Sequence, residues 1–152
     1  MTEQELNFEN EVRKHQQLVS KNISNVIVQL ISRAKYHDDT KFKEVERDLF
    51  VKNTEKLSKM VYGSEDYIAT LEQMKPAIHH HHAFNRHHPE HYEHGIKEMN
   101  LIDVVEMFCD WLAAVERHET GDIYKSLQIN RKRFNMSVDL YQILLNTANS
   151  MA

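Results

Sequence analysis

Helix and strand breakers are scarce in this chain. Among 152 residues there are three glycines, Gly63, Gly95 and Gly121, and two prolines, Pro76 and Pro89. Phosphate loops and dinucleotide-binding turns need clustered glycines, so glycine-loop nucleotide chemistry is excluded. Long helices are favoured instead. The chain has one domain's worth of residues, and at that size a fold buries roughly 68–70% of its unfolded surface. With 41% hydrophobic and 28% charged residues, it reads as a soluble globular protein, neither disordered nor membrane-spanning.

Apolar residues recur at helical spacing along most of the chain. Phe8, Val12, His15, Val19, Ile23, Val26, Ile27, Leu30, Ile31 and Ala34 form one stripe, which His37 continues. Ser20-Lys21-Asn22-Ile23-Ser24-Asn25 is the expected break in it, because Ser and Asn prefer caps and turns. A second helix is expected from about 42 to 61, with a polar middle. Gly63 then stops it, and Ser64-Glu65-Asp66 opens the next helix, with a kink or new start at Pro76. Residues 83–97 read as a polar, histidine-rich loop. Asn100 and Asp103 form a capping box for an apolar, central helix carrying Leu101, Val104, Val105, Phe108, Trp111, Leu112 and Val115. Two further helices follow Gly121-Asp122 and Ser137. The expected architecture is all-α: a single-domain helical bundle over 1–152, with five to seven helices and no strand.

Several function classes drop out on charge and cysteine content. The formal charge is −4, and the one dense basic run, Arg131-Lys132-Arg133, sits where a helix should end. General nucleic-acid binding is not expected from such a chain. The single cysteine, Cys109, allows no internal disulfide and no Cys-based zinc site. No apolar run is long enough to span a membrane and no signal peptide is visible, so the expected location is the cytoplasm.

The outlying count is histidine. There are eleven, and eight lie between His79 and His94. Two others matter more for their company. His15 lies on the first stripe, and His37-Asp38 pairs an imidazole with a carboxylate at a predicted helix end. Asp110 sits inside the apolar run Met107–Ala114, where an unpaired carboxylate costs several kcal/mol, so it should be paired, protonated or metal-bound. His15, His37, Asp38 and Asp110 together make a metal site whose borderline and hard ligands suit Mn, Fe, Co, Ni or Zn. His15 and His37 are 22 residues apart. One straight helix would separate them by roughly 33 Å, so the shared site demands both the break at 20–25 and a helix end at His37.

This order of residues resembles the HD-domain superfamily of metal-dependent phosphohydrolases: a His, a later His-Asp, and a late Asp on a core helix. His37-Asp38-Asp39-Thr40-Lys41 is similar to its His-Asp-x-small-Lys string. The stretch Ile78–Pro89, with its paired histidines, resembles the segment that dinuclear members place before the closing Asp, here Cys109-Asp110-Trp111. More narrowly, Asn85-Arg86-His87-His88-Pro89-Glu90-His91 with Ile102-Asp103 resembles an uncharacterised HD-like family of bacteria and phages. The resemblance implies an HD-like bundle with one or two divalent ions. His80, His81 and His88 are the expected ligands of a second ion. Lys41, Asn85, Arg86 and His87 could instead hold a phosphate. The implied activity is hydrolysis of a nucleotide or another small phosphorylated metabolite, with Asp38, Lys41 and Arg86 as the catalytic residues. A homodimer is a further implication.

Two alternatives stay open: a metal-containing binding or regulatory module without turnover, and a di-iron oxygenase-like protein. The string His87-His88-Pro89-Glu90-His91 also matches an inverted zincin pattern, but Pro89 opposes the helix that such a site requires.

Overall fold

The computed structural model describes residues 2–60, 64–117 and 121–151. The expected helix stop at Gly63 lies outside the described residues, as does His118. Among the described residues there are seven α-helices and no strand, as an all-α fold requires. The chain divides into two compact units, residues 1–36 and 37–152. No described helix is long and apolar enough to cross a membrane.

The first unit is one helix, α1, spanning Glu3–Tyr36. The expected break at 20–25 is absent. Between Glu3 and Tyr36 there is neither Gly nor Pro, and the polar residues that should interrupt the helix bond within it. Ser24 Oγ donates to the Ser20 carbonyl at 2.8 Å, and Gln29 Nε2 donates to the Asn25 carbonyl at 3.5 Å. Ser and Asn disfavour helix interiors because their side chains offer the backbone alternatives, and here the Ser24 hydroxyl is spent on the preceding turn.

The expected stop at His37 is found. Helix α1 ends at Tyr36, and Asp38 adopts a left-handed conformation with φ 61° and ψ 13°. Asp tolerates that region better than most L-residues. A 3₁₀ turn, Asp39–Phe42, follows and leads to α2, Glu44–Ser58. The polar middle of α2 is regular helix. The next segment splits into α3, Glu65–Gln73, and α4, Lys75–Phe84. Ser64 Oγ accepts from Tyr67 N at 3.2 Å to cap α3. Pro76 sits in the first turn of α4, where its missing N–H costs nothing. Helix α2 packs against α4.

Residues 85–100 cross to the central helix through two short 3₁₀ turns, Pro89–His91 and Gly95–Glu98. The central helix α5, Leu101–Glu116, opens with the expected capping box. Asn100 Oδ1 accepts from Asp103 N at 3.0 Å, and Asp103 Oδ2 accepts from Asn100 N at 3.1 Å. Met107 and Phe108 of α5 pack with Leu127 of α6, Ile123–Arg133, and with Leu144 and Ala148 of α7, Val138–Met151. Met136, between α6 and α7, completes that core.

Asp103 ties the histidine-rich crossing to α5. Its fully buried carboxylate takes two bonds from Arg86, Nε and Nη2, each at 3.1 Å, and a third from the Tyr92 hydroxyl at 2.6 Å. Burial alone would raise its pKa. The bonds from Arg86, Tyr92 and Asn100 overrule that and hold it at about 2.

Two outcomes follow from this packing. Leu127 is fully buried, so Leu127→Ala should lose about 3–4 kcal/mol of unfolding free energy in urea. An unchanged midpoint would place the core elsewhere. The depressed Asp103 pKa contributes stability that is complete above the unfolded value, about 3.9, and is lost as pH falls through it towards the folded value. Because Arg86 is half exposed, solvent screens the pair, and Asp103→Asn should cost only about 1–2 kcal/mol at pH 7. Wild-type stability should then fall more steeply than the variant's below about pH 4; parallel acid curves would remove the clamp.

Candidate metal centre

Three pieces of the second unit converge on one point. The left-handed turn after α1 presents His37 and Asp38. The last turns of α4 present His81. The crossing just beyond α4 presents His87 and His88. Asp38 Oδ1 and the Nε2 atoms of His81, His87 and His88 are all buried, and none has a hydrogen-bond partner among the described residues. One ligand atom from each of these four residues lies within 4.8 Å of the others. His81 Nε2 is 3.2 Å and His87 Nε2 3.5 Å from Asp38 Oδ1. Ligand arms near 2.1 Å in a tetrahedron leave donors about 3.4 Å apart, so these two separations suit one small ion.

The far side of each imidazole explains why the near side is bare. His81 Nδ1 bonds Glu46 Oε2 at 2.9 Å, and Glu46 is fully buried. Thr40 Oγ1 donates to the same oxygen at 3.1 Å and accepts from Asn85 Nδ2 at 2.7 Å. His87 Nδ1 stands 3.3 Å from Glu106 Oε1, which also bonds His37 Nδ1 at 3.0 Å. A carboxylate only accepts, so it draws the proton to Nδ1 and leaves a lone pair on Nε2. Metal-binding histidines are oriented in this way.

Charge in the pocket runs the same way. Burial alone would raise the Asp38 carboxyl, but the Lys41 ammonium bonded to its Oδ2 and the nearby charge of His37 hold it well below the usual carboxylate range. Burial pushes His88 down to about 2, helped by neighbouring His87, His81 and His82, so its imidazole is neutral. Hydrogen bonds to Asp110 and Glu106 push His37 up to about 10.

A second set lies alongside. His37, His87 and Asp110 also offer atoms within 4.8 Å of one another. His37 Nε2 is 3.5 Å from Asp110 Oδ1 and 3.7 Å from Asp38 Oδ2. Asp38 thus faces the first set with one oxygen and the second with the other, and His87 belongs to both. A third, more exposed set, His82, His88 and Glu90, lies at the rim.

The expected residues are distributed unevenly. His37, Asp38, His81, His88 and Asp110 come together as expected. His15 does not join them. The unbroken α1 sets it about 31 Å along the axis from Tyr36, and no candidate ligand set among the described residues includes it. His80 turns away, its Nδ1 on Glu46 Oε1 at 2.6 Å, so it is no ligand here. Arg86 is committed to Asp103 with two nitrogens, which makes it a clamp rather than a free phosphate contact. Lys41 Nζ bonds Asp38 Oδ2 at 2.5 Å. Asn85 supports His81 rather than facing the ligand atoms. His87, expected as a phosphate contact, instead belongs to two of the candidate ligand sets. Glu46 and Glu106 were not anticipated as site residues.

A cleft of about 810 Å³ opens on the centre at His88 and Asp110 and runs past Trp111, Ser126, Asn130 and Arg133. Its aromatic wall is Trp111 stacked on Phe134, with centroids 6.2 Å apart.

Residues 4–150 match DUF5662, a family of unknown function. The chain belongs to that family. No curated protein and no solved structure matches it. Membership in DUF5662 carries no activity with it, so the chemistry must be argued from the site.

If Glu46 and Glu106 orient the ligands, Glu46→Gln and Glu106→Gln should each weaken zinc or manganese binding about 10–100-fold by competition with a chelator dye, while the fold is retained. Wild-type affinity in both would mean the imidazoles are set by packing alone.

Proposed function

We propose that the unit 37–152 is a divalent-metal-dependent phosphohydrolase acting on a nucleotide or another small phosphorylated metabolite. The observation that carries this reading is the set of four buried, unbonded ligand atoms from Asp38, His81, His87 and His88. Three imidazole nitrogens and a carboxylate oxygen suit Mn, Fe, Co, Ni or Zn. An ion bound there would supply Lewis acidity to a phosphoryl oxygen and lower the pKa of a water near it.

The chain's own residues account for the remainder. Asp38, held ionised by the Lys41 ammonium bonded to its Oδ2, keeps a negative ligand at the centre. Lys41, partly exposed beside it, offsets charge that develops on non-bridging phosphate oxygens. Asp110 lines the cleft, and the bonded pair His37–Glu106 beside it can hold or move a proton. The cleft offers the aromatic side of Trp111 and the cation of Arg133 to the rest of a substrate, although Arg133 is shared with Glu90 at 2.7 Å. The resemblance to the HD superfamily supports the same class, now with His87 in place of His15 among the ligands.

Metal analysis of protein purified without chelator, followed by a phosphate-release screen over nucleotides and phosphomonoesters, tests the reading. Phosphate release is expected with at least one divalent metal. Asp38→Asn and His81→Ala should reduce both bound metal and turnover to background while far-ultraviolet circular dichroism is unchanged. Metal-loaded protein that binds a nucleotide tightly and never turns it over would move the assignment to a binding module. A pair of irons with an oxygen-dependent signal would move it to oxygenase chemistry.

A further inference from the structure

The helix α1 is a complete unit by itself, and it has no buried residue. Large apolar side chains line it regardless: Phe8 is 70% exposed and Ile23 54%. A single helix cannot bury its own stripe, so the stripe is made for a partner.

The stripe has an internal symmetry. Reflecting the helix about residue 21 exchanges Phe8 with Ala34, Val12 with Leu30, His15 with Ile27, and Val19 with Ile23. Eight of the ten stripe positions exchange with one another in this way, with the largest side chain opposite the smallest, while Val26 and Ile31 fall opposite Gln16 and Glu11. This pattern is compatible with an isologous two-fold contact, in which residue i meets j and j meets i.

Charge selects the same arrangement. The acids of α1, Glu3, Glu5, Glu9 and Glu11, all precede Val12. Its bases, Arg13, Lys14, Lys21, Arg33 and Lys35, all follow it, and no acid lies between Val12 and Tyr36. Parallel helices would set acidic end on acidic end and basic end on basic end. Antiparallel helices set the acidic end of each beside the Arg33–Lys35 end of the other, and charged flanks of this kind fix partner and orientation in paired helices.

We propose that α1 is a homodimerisation helix, and that two copies of this chain pair through it in antiparallel fashion about residue 21. The contact runs from Phe8 to Ala34, about 40 Å of helix. His15 then lies within the paired stripe, opposite the partner's Ile27. The proposal is independent of the metal centre and stands or falls without it.

Sedimentation velocity on the full chain at tens of micromolar should give twice the 18.1 kDa chain mass. The double variant Val19→Glu/Ile23→Glu should sediment as a monomer, while Ser32→Glu, on the opposite face, should remain dimeric. Arg33→Glu/Lys35→Glu and Glu9→Lys/Glu11→Lys should each self-associate at least tenfold more weakly and recover as an equimolar mixture. Spin labels on Ser32→Cys, in a Cys109→Ala background, report orientation. Antiparallel pairing places the two labels 22 residues apart along the axis, about 33 Å, whereas parallel pairing brings them within roughly 20 Å. A monomeric wild type would overturn the proposal, because the stripe would then be covered within one chain or by another protein. A dimer that survives Val19→Glu/Ile23→Glu, or a short distance between labels, would overturn it equally.

Discussion

Four lone pairs aimed at one small volume are the constraint on which the rest of the second unit depends. Asp38 Oδ1 and three imidazole Nε2 atoms, all buried, repel one another unless a proton or a cation sits among them. Such a cluster does not form by relaxation; it has to be held. The left-handed turn at Asp38 holds one corner, because a helix that continued past Tyr36 would carry the carboxylate away. Glu46 and Glu106 hold the imidazoles from behind by occupying Nδ1. The Arg86–Asp103 clamp holds the crossing from which His87 and His88 project. Each of these takes part of the strain that the centre imposes.

The buried carboxylates divide their work by position. Asp38 faces the centre, and Glu46 and Glu106 stand one imidazole behind it. Asp103 never reaches it and acts through Arg86 and Tyr92. Glu46 and Asp103 are both fully buried, yet neither is an isolated charge. Glu46 is bonded to His80, His81 and Thr40, and Asp103 is bonded to Arg86, Tyr92 and Asn100. Burying a carboxylate is tolerable on those terms, because every bond it accepts also orients a side chain that the site uses.

The sequence carried a good part of this. The capping box of α5, the stop at His37 and the restart at Pro76 were legible because each is written in two or three adjacent residues whose physics is local. His81, His88, Asp38 and Asp110 were legible as metal-ligating types in a sensible order. The failures have one origin. Periodicity tells which residues share a helix face but not what the face meets, so His15 looked like a ligand although α1 runs straight on. In the irregular stretch 85–91 there is no period at all. Charge and shape alone therefore made both Arg86 and His87 phosphate contacts, whereas Arg86 bonds Asp103 and His87 belongs to the candidate ligand sets. Glu46 stands among the charged residues of α2, and only the approach of α4 shows that it is buried. Ser20, Asn22 and Ser24 gave a true preference for turns that thirty-four helical residues without Gly or Pro outweighed.

Separating the orienting groups from the ligands has an energetic consequence. The second unit owes its folding to the α5–α7 core and to clamps remote from the centre, not to the ligand atoms, whose mutual repulsion opposes folding. A cation that binds the folded site and not the unfolded chain removes that repulsion and adds its own binding free energy to stability through mass action. The turn at His37–Asp38, the end of α4 and the crossing at His87–His88 are then the parts whose stability depends most on an ion. Two of these segments, the end of α4 at His82 and the crossing at His88, also line the cleft, so part of the region that metal would stiffen is the region a substrate must enter.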